Sequence, residues 1–322
     1  MKSRDVIKLL VSTLVGLALL CYTVTIFGVD NYLKLFSGLS IPILFVCCIT
    51  VFLDVVFVSI RVCKIFRAAG VKLGFYDSLW INLWGNLVSI FQKGLGLILT
   101  IDSISLRTKT SRSDTTSRFS IYYAVDMIVR VFATALGLLV FYPFIPSIYI
   151  SVFMLFIIGL LVASILVFLA AFGNINIKNL FNTLTAEIPI INGIVKSLTV
   201  VNVDKARSTL PFMFFVSCLS WLITGVEWTL ISYAVGYPLS FTFCLLSCSV
   251  LSLARLTPFI PTGLGVFDTI MALGFGLANL PSTLGLAFAM IDRLDDVIIY
   301  SFALIKPSYL RFINNNEGGI IK

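Results

Sequence analysis

Charged side chains that could do chemistry stand within apolar segments of this chain. The run DRLDD (292–296) carries three carboxylates beside one arginine, and Asp292 and Asp296 are spaced to share one helix face. Buried charge of one sign is costly in a packed apolar core, so this excess of negative charge indicates a polar cavity. We expect this run to steer cations or to carry protons; its charged members are Asp292, Arg293, Asp295 and Asp296.

Four more charged residues stand in other apolar segments. Asp126 and Arg130 are four residues apart, so they can pair on one helix face or form a structural ion pair between helices. Asp54 and Glu227 are lone carboxylates, and each stands five residues before a serine. Two roles are open for these two acids, namely proton coupling and hydrogen bonding between helices.

The stretch RLTPFIPTGLGVFDT (255–269) interrupts an apolar segment with two prolines and two glycines. Proline removes a backbone donor and glycine permits tight turns, so this stretch is predicted to be the tip of a hairpin. Non-helical chain at membrane depth is tolerated only inside protein or beside a water-filled cavity. A half-helix that starts near Gly263 would point its free N–H groups at an anion. The predicted tip includes Pro258, Pro261, Thr262 and Asp268.

A second predicted tip, KGLG (93–96), is expected to face the first from the opposite side of the membrane. Near the first tip, Arg255 either pairs with Asp268 and fixes the hairpin, or binds a phosphate or carboxylate group. The residues predicted to bind a headgroup or anion are Lys93, Gly94, Gly96, Arg255, Gly263 and Gly265.

The composition places these residues in an all-α polytopic membrane protein. Of 322 residues, 59% are hydrophobic and 12% are charged, and the mean hydropathy is +1.06. The chain has no histidine, which excludes histidine-based acid–base catalysis and the usual catalytic triads. Its seven cysteines lack metal-type spacing and are expected to pack in the core. We expect no metal, no cofactor and no nucleic-acid partner.

Apolar runs predict six transmembrane helices and two further apolar regions, 73–106 and 239–279, that we interpret as re-entrant hairpins. The predicted spans are 6–28, 39–60, 121–141, 147–172, 211–235 and 283–305. This topology keeps most of the 23 basic residues on the cytoplasmic side, including two basic loops that flank the first hairpin. Arg61 is assigned to the loop before the hairpin, and Arg118 to the loop after it. Both termini are then cytoplasmic, and the protein is integral to a membrane.

The same topology divides the single domain, residues 1–322, into a first half (1–145) and a second, inverted half (146–322). GLGLILTI (94–101) aligns without gaps to GLGVFDTI (263–270), with five of eight positions identical. Asp54 and Glu227 stand at nearly the same offset. The sequence therefore predicts an inverted repeat.

PFIPTGLGVFD, followed by DRLDD, resembles the end of the flippase-like transmembrane region of lysylphosphatidylglycerol synthases and related membrane proteins. The prolines and the Gly-Leu-Gly of the tip match that family's pattern, and Asp268 stands where a glutamate is usual. Thr262 replaces a usual glycine and Phe267 a common arginine, while the first hairpin lacks most of the family's charges. The resemblance implies paired re-entrant hairpins and translocation of a lipid headgroup, in the plasma (inner) membrane of a bacterium.

The leading functional hypothesis is translocation of an anionic lipid or lipid-linked saccharide between leaflets, rather than enzymatic catalysis. Phosphate would meet the two hairpin tips while the lipid tails stay in the bilayer. One alternative is a secondary transporter of a small ion or solute. Another is an enzyme that acts on lipid phosphate with a metal held by aspartates of DRLDD or by Asp268. The expected partners are membrane lipids or lipid-linked glycan, and proteins of glycan or lipid assembly.

Overall fold

The computed structural model describes residues 38–91, 93–141, 208–252 and 266–306, and the isolated residues Thr25, Ile158 and Leu161. The predicted spans at 6–28 and 147–172 lie outside the described residues. Within the described ranges the chain forms eight α-helices and a final 3-10 turn, Phe302–Ile305. The helices are α1 (Ile41–Ala68), α2 (Phe75–Phe91), α3 (Lys93–Thr108), α4 (Arg112–Phe141), α5 (Leu210–Ala234), α6 (Phe241–Ser252), α7 (Val266–Leu277) and α8 (Ser282–Ser301).

Three of these helices, α1, α4 and α5, are long and apolar enough to cross a membrane. Their outward faces carry large apolar side chains such as Phe45, Phe132 and Phe215. The predicted spans at 39–60, 121–141, 211–235 and 283–305 coincide with α1, α4, α5 and α8. The chain is therefore an integral membrane protein.

The helices α1 and α5 share the same start and stop signals. Each has a proline in its first turn, where the missing N–H costs nothing. Each ends at a glycine with positive φ, Gly70 at 80° and Gly236 at 72°. At both ends the N–H groups of the glycine and of the residue after it bond back to the last turn in a Schellman arrangement. The two helices run antiparallel, because Asp54 contacts Ser220 while the Ser40 N–H donates to the Ala234 carbonyl at 3.1 Å.

Helices α2 and α3 form an antiparallel helical hairpin over the predicted region 73–106. Asp77 and Arg107 pair at its open end at 3.0 Å, and α3 begins at Lys93, within the predicted KGLG tip. At 1.5 Å per residue each helix is about 25 Å long, shorter than the hydrocarbon core of a bilayer. This length suits a re-entrant hairpin.

Both basic loops are shorter than the sequence analysis predicted. Helix α1 continues to Ala68, so Arg61 is a helical residue and not a loop residue. After the hairpin, α3 extends to Thr108 and α4 begins at Arg112, so Arg118 is also helical. The predicted loop boundaries are wrong because a basic residue was taken to mark the end of an apolar helix, whereas these basic residues lie within the helices.

Helices α4 and α8 each pack against helices that lie far from them in the sequence. Helix α4 contacts α6, and Thr134 donates a hydrogen bond to the Ser249 carbonyl at 3.0 Å. Helix α8 contacts α2 and α1. The packing leaves a polar space between α1, the α2–α3 hairpin, α4, α5 and α8.

Candidate functional site

The polar space is a cavity of about 270 Å³, which we call the central cavity. Six helices contribute to its wall, and six charged residues line it. All six were singled out from the sequence, although they are spread over four helices. They are Asp54, Asp126, Arg130, Glu227, Asp292 and Asp296.

The α2–α3 hairpin presents an uncharged polar face to the central cavity. Asn82, Asn86 and Ser89 recur at helical spacing along α2, and Thr100 faces the same space from α3. The Asn82 amide donates to the Ser59 hydroxyl at 3.0 Å, which fixes this face against α1. The hairpin therefore offers hydroxyl and amide groups of the kind that bind hydroxyls or a phosphate.

Close packing of the hairpin depends on two glycines that also line the cavity, Gly85 and Gly96. A Cβ atom on Gly96 would collide with the Ser89 side chain and the Gly85 carbonyl, and one on Gly85 would collide with Thr100. The two helices can approach this closely only without side chains at these positions.

The opposite wall of the central cavity is acidic. Five of the described lining residues are carboxylates and one is a guanidinium. Asp54 accepts a hydrogen bond from Ser220, and Asp292 accepts one from the Trp228 indole at 3.3 Å. Neutral donors thus orient these two acids, and the described residues of the wall carry more negative than positive charge, which favours positive charge in the cavity.

A buried ion network joins α1, α4 and α5 beside the cavity. Asp126 pairs with Arg130 at 2.8 Å on its own helix and with Arg61 of α1 at 2.6 Å. Arg61 also donates to Ser217 and lies 4.9 Å from the centre of the Tyr122 ring. Asp126 therefore forms both ion pairs considered from the sequence, one within α4 and one between α4 and α1.

Sequence reasoning missed Arg61 because it assigned this residue to a loop. In the structure only 1% of Arg61 is exposed. A signal was present, because the apolar residues Val62, Cys63, Ile65 and Phe66 continue the helical pattern past it. All four are buried in the structure.

The charges of DRLDD separate into three environments. Asp292 and Asp296 share a face of α8 and line the central cavity. Arg293 pairs with the fully buried Asp268 of α7 at 2.9 Å. Asp295 packs against Cys48 of α1, outside the cavity wall. Because a helix turns successive side chains to different neighbours, Asp292 and Asp296 face the cavity while Arg293 and Asp295 contact α7 and α1.

Of the predicted anion-binding residues, Gly96 lines the cavity, and Lys93 and Gly94 lie in the first turn of α3. Asp268 is the partner of Arg293. The remaining tip residues lie outside the described residues, so their predicted roles stay predictions; they are Arg255, Pro258, Pro261, Thr262, Gly263 and Gly265. Within the described ranges, no group of three or more His, Cys, Asp or Glu side chains is placed to hold a metal ion.

Comparison with known proteins identifies the family. No curated protein and no solved structure matches this chain. The family described as the lysylphosphatidylglycerol synthase TM region matches residues 6–303, which is most of the chain and includes every helix that lines the central cavity. The chain belongs to the family of the lysylphosphatidylglycerol synthase TM region.

Proposed function

We propose that this protein moves a lipid headgroup between the leaflets through the central cavity while the lipid tails remain in the bilayer. The observation that carries this proposal is a polar, charged cavity of about 270 Å³ among helices whose outward faces are apolar. A headgroup cannot cross hydrocarbon without losing its hydration. The amides, hydroxyls and carboxylates of the cavity wall would replace that water.

The charge of the cavity refines the substrate that the sequence suggested. Sequence reasoning favoured an anionic lipid or lipid-linked saccharide, with phosphate at the two hairpin tips. The described cavity wall favours a headgroup that also carries a positive charge, since four lining carboxylates remain when Asp126 is set against Arg130 and Arg61. The family's name refers to a lipid with a lysyl group, which carries such a charge. A phosphate near Lys93 and Gly94 is compatible with this placement.

The arrangement of the two halves supports an inverted repeat, the plan on which many transporters alternate their access. Helices α1 and α5 have matching ends and run antiparallel. In addition, α4 and α8 each direct two charged residues, four positions apart, into the cavity. Related elements of opposite direction around one site occur in many transporters that work by alternating access.

Neutralising one cavity acid should slow the movement of a cationic headgroup. For Glu227→Gln we expect a loss of about 10-fold for a lysyl-phosphatidylglycerol probe, because a hydrogen bond to a charged group contributes about 1.5–3 kcal/mol. The measurement is bleaching, by an impermeant reductant, of a fluorophore on the probe's acyl chain in proteoliposomes.

The control is Asp77→Asn, which removes a carboxylate that pairs with Arg107 outside the cavity and should leave the rate unchanged. Faster movement of phosphatidylglycerol than of its lysyl ester would restore the anionic substrate suggested by the sequence. Wild-type vesicles that move no probe faster than protein-free vesicles would refute the proposed function.

A further inference from the structure

Asp295 is a fully buried acid that lies outside the central cavity. None of its surface is exposed, and its Oδ1 accepts a weak hydrogen bond from the Cys48 thiol at 3.5 Å. Its Oδ2 is buried and has no hydrogen-bond partner in the described part of the chain. An ionised carboxylate with one thiol donor would be very poorly solvated, so this site favours the neutral acid.

The groups around Asp295 do not offer a compensating positive charge within the described residues. The titratable groups that face it or its thiol partner are Cys47 and Cys48 on α1, Glu227 on α5, and Asp292 and Asp296 on α8. From α2, the side chains Leu79, Leu83 and Trp84 pack in the same cluster as Cys48. On the side of α7, Arg293 is engaged by Asp268. Every titratable neighbour is therefore acidic or neutral.

Asp295 is nevertheless one residue away from the wall of the central cavity along α8. Its neighbour Asp296 lines the cavity, and so does Glu227, which acts electrostatically on both Cys47 and Cys48. A positive charge that enters the cavity would thus stand close to the acids around Asp295. By Coulomb's law, such a charge stabilises the ionised form of Asp295 and disfavours its proton.

We propose that Asp295 is a proton-binding site and that its proton exchanges for a cationic headgroup in the central cavity. In this step the O–H bond at Asp295 breaks and an O–H bond forms on water, which carries the proton away; no other bond changes. Because linkage is reciprocal, a bound proton weakens headgroup binding by the same factor by which the headgroup weakens proton binding. The exchange step rests on the function proposed above, whereas the proton site itself does not.

Infrared spectroscopy tests the proton site without any transport. The protein is studied in a maltoside detergent, which has no ester carbonyl to hide the stretch of a protonated carboxylic acid. We expect wild type to show this band at neutral pH and to lose it at alkaline pH, and Asp295→Asn to lack it. Asp77→Asn should keep it. Cys48→Ser, with a stronger hydrogen-bond donor, should lose the band at a lower pH than wild type.

An Asp295→Asn spectrum identical to that of wild type would overturn the proton site, provided that both proteins unfold at similar temperatures. If Asp295→Asn is too unstable to purify, Cys48→Ser tests the site instead. A carboxylic acid band that disappears at the same pH in Cys48→Ser as in wild type would overturn the proton site.

A pH gradient across proteoliposomes tests the exchange. We expect the gradient to drive a fluorescent lysyl-phosphatidylglycerol probe to one leaflet in wild type, and to have no such effect in Asp295→Asn, which still equilibrates the probe. Wild-type movement that does not respond to the gradient would overturn the exchange. If no probe moves in any vesicle, the proposed function fails, and the infrared result still decides the proton site.

Discussion

Replacing Gly96 by leucine is expected to abolish headgroup movement and to loosen the α2–α3 hairpin. A side chain at this position collides with the Ser89 side chain and with the Gly85 backbone, and backbone cannot move aside at low cost. Overpacking of this kind costs about 1–3 kcal/mol or more, and the displaced hairpin forms part of the cavity wall. Movement of the lysyl-phosphatidylglycerol probe and the midpoint of thermal unfolding in detergent measure the two effects.

Gly236→Asn is the matched control for this substitution. Gly236 has a φ of 72°, which asparagine tolerates better than most residues, and a Cβ atom there would meet no other atom within 4 Å. We expect wild-type movement and a nearly unchanged melting midpoint for this variant. If Gly96→Leu behaves like Gly236→Asn, then neither the tight hairpin nor the cavity beside it is needed.

Replacing Asp126 by alanine is expected to destabilise the protein strongly. The substitution leaves the buried Arg61 and the partly exposed Arg130 without the carboxylate that both now share. Breaking a buried ion pair by removing one partner costs about 3–5 kcal/mol, chiefly because the remaining charge stays buried. We expect a clearly lower unfolding midpoint in detergent and a lower yield of folded protein.

The comparison is Arg112→Ala, at the start of the same helix α4. The Arg112 side chain is 77% exposed and pairs with Asp102, so breaking this pair should cost less than about 1 kcal/mol. Equal melting midpoints for the two variants would show that the buried network does not hold α1, α4 and α5 together.

The sequence predicted the helices better than it predicted their contacts. Apolar runs located α1, α4, α5 and α8, and the glycines of KGLG located the start of α3. Both inferences use only residues that are close to one another in the sequence, and such local patterns are what determine where a helix starts and ends. The positive-inside rule instead misplaced Arg61, because it treats a basic residue at the end of an apolar run as a loop residue and ignores a possible partner on another helix.

The division of DRLDD was not predictable from the sequence for the same reason. Helical spacing predicted that Asp292 and Asp296 share a face, and they do. The partners of Arg293 and Asp295 come from α7 and α1, at separations that local patterns do not encode. The acidic character of the cavity also depends on four helices meeting, whereas the predicted anion sites were read from the local chemistry of each hairpin tip.

The most direct test of headgroup passage is to fill the central cavity chemically. In protein whose seven native cysteines are replaced by alanine, Asn86→Cys places a thiol on the cavity wall, and Tyr76→Cys places one on the exposed start of the same helix α2. Proteoliposomes are treated with a trimethylammonium thiosulfonate or with its sulfonate counterpart, and probe movement is then measured.

We expect the cationic reagent to modify Asn86→Cys at least about 10-fold faster than the anionic one, because a cleft lined by carboxylates concentrates cations. Modification should stop movement of the lysyl-phosphatidylglycerol probe in Asn86→Cys and leave it unchanged in Tyr76→Cys. Full modification of Asn86→Cys with undiminished probe movement would contradict passage of the headgroup through the central cavity.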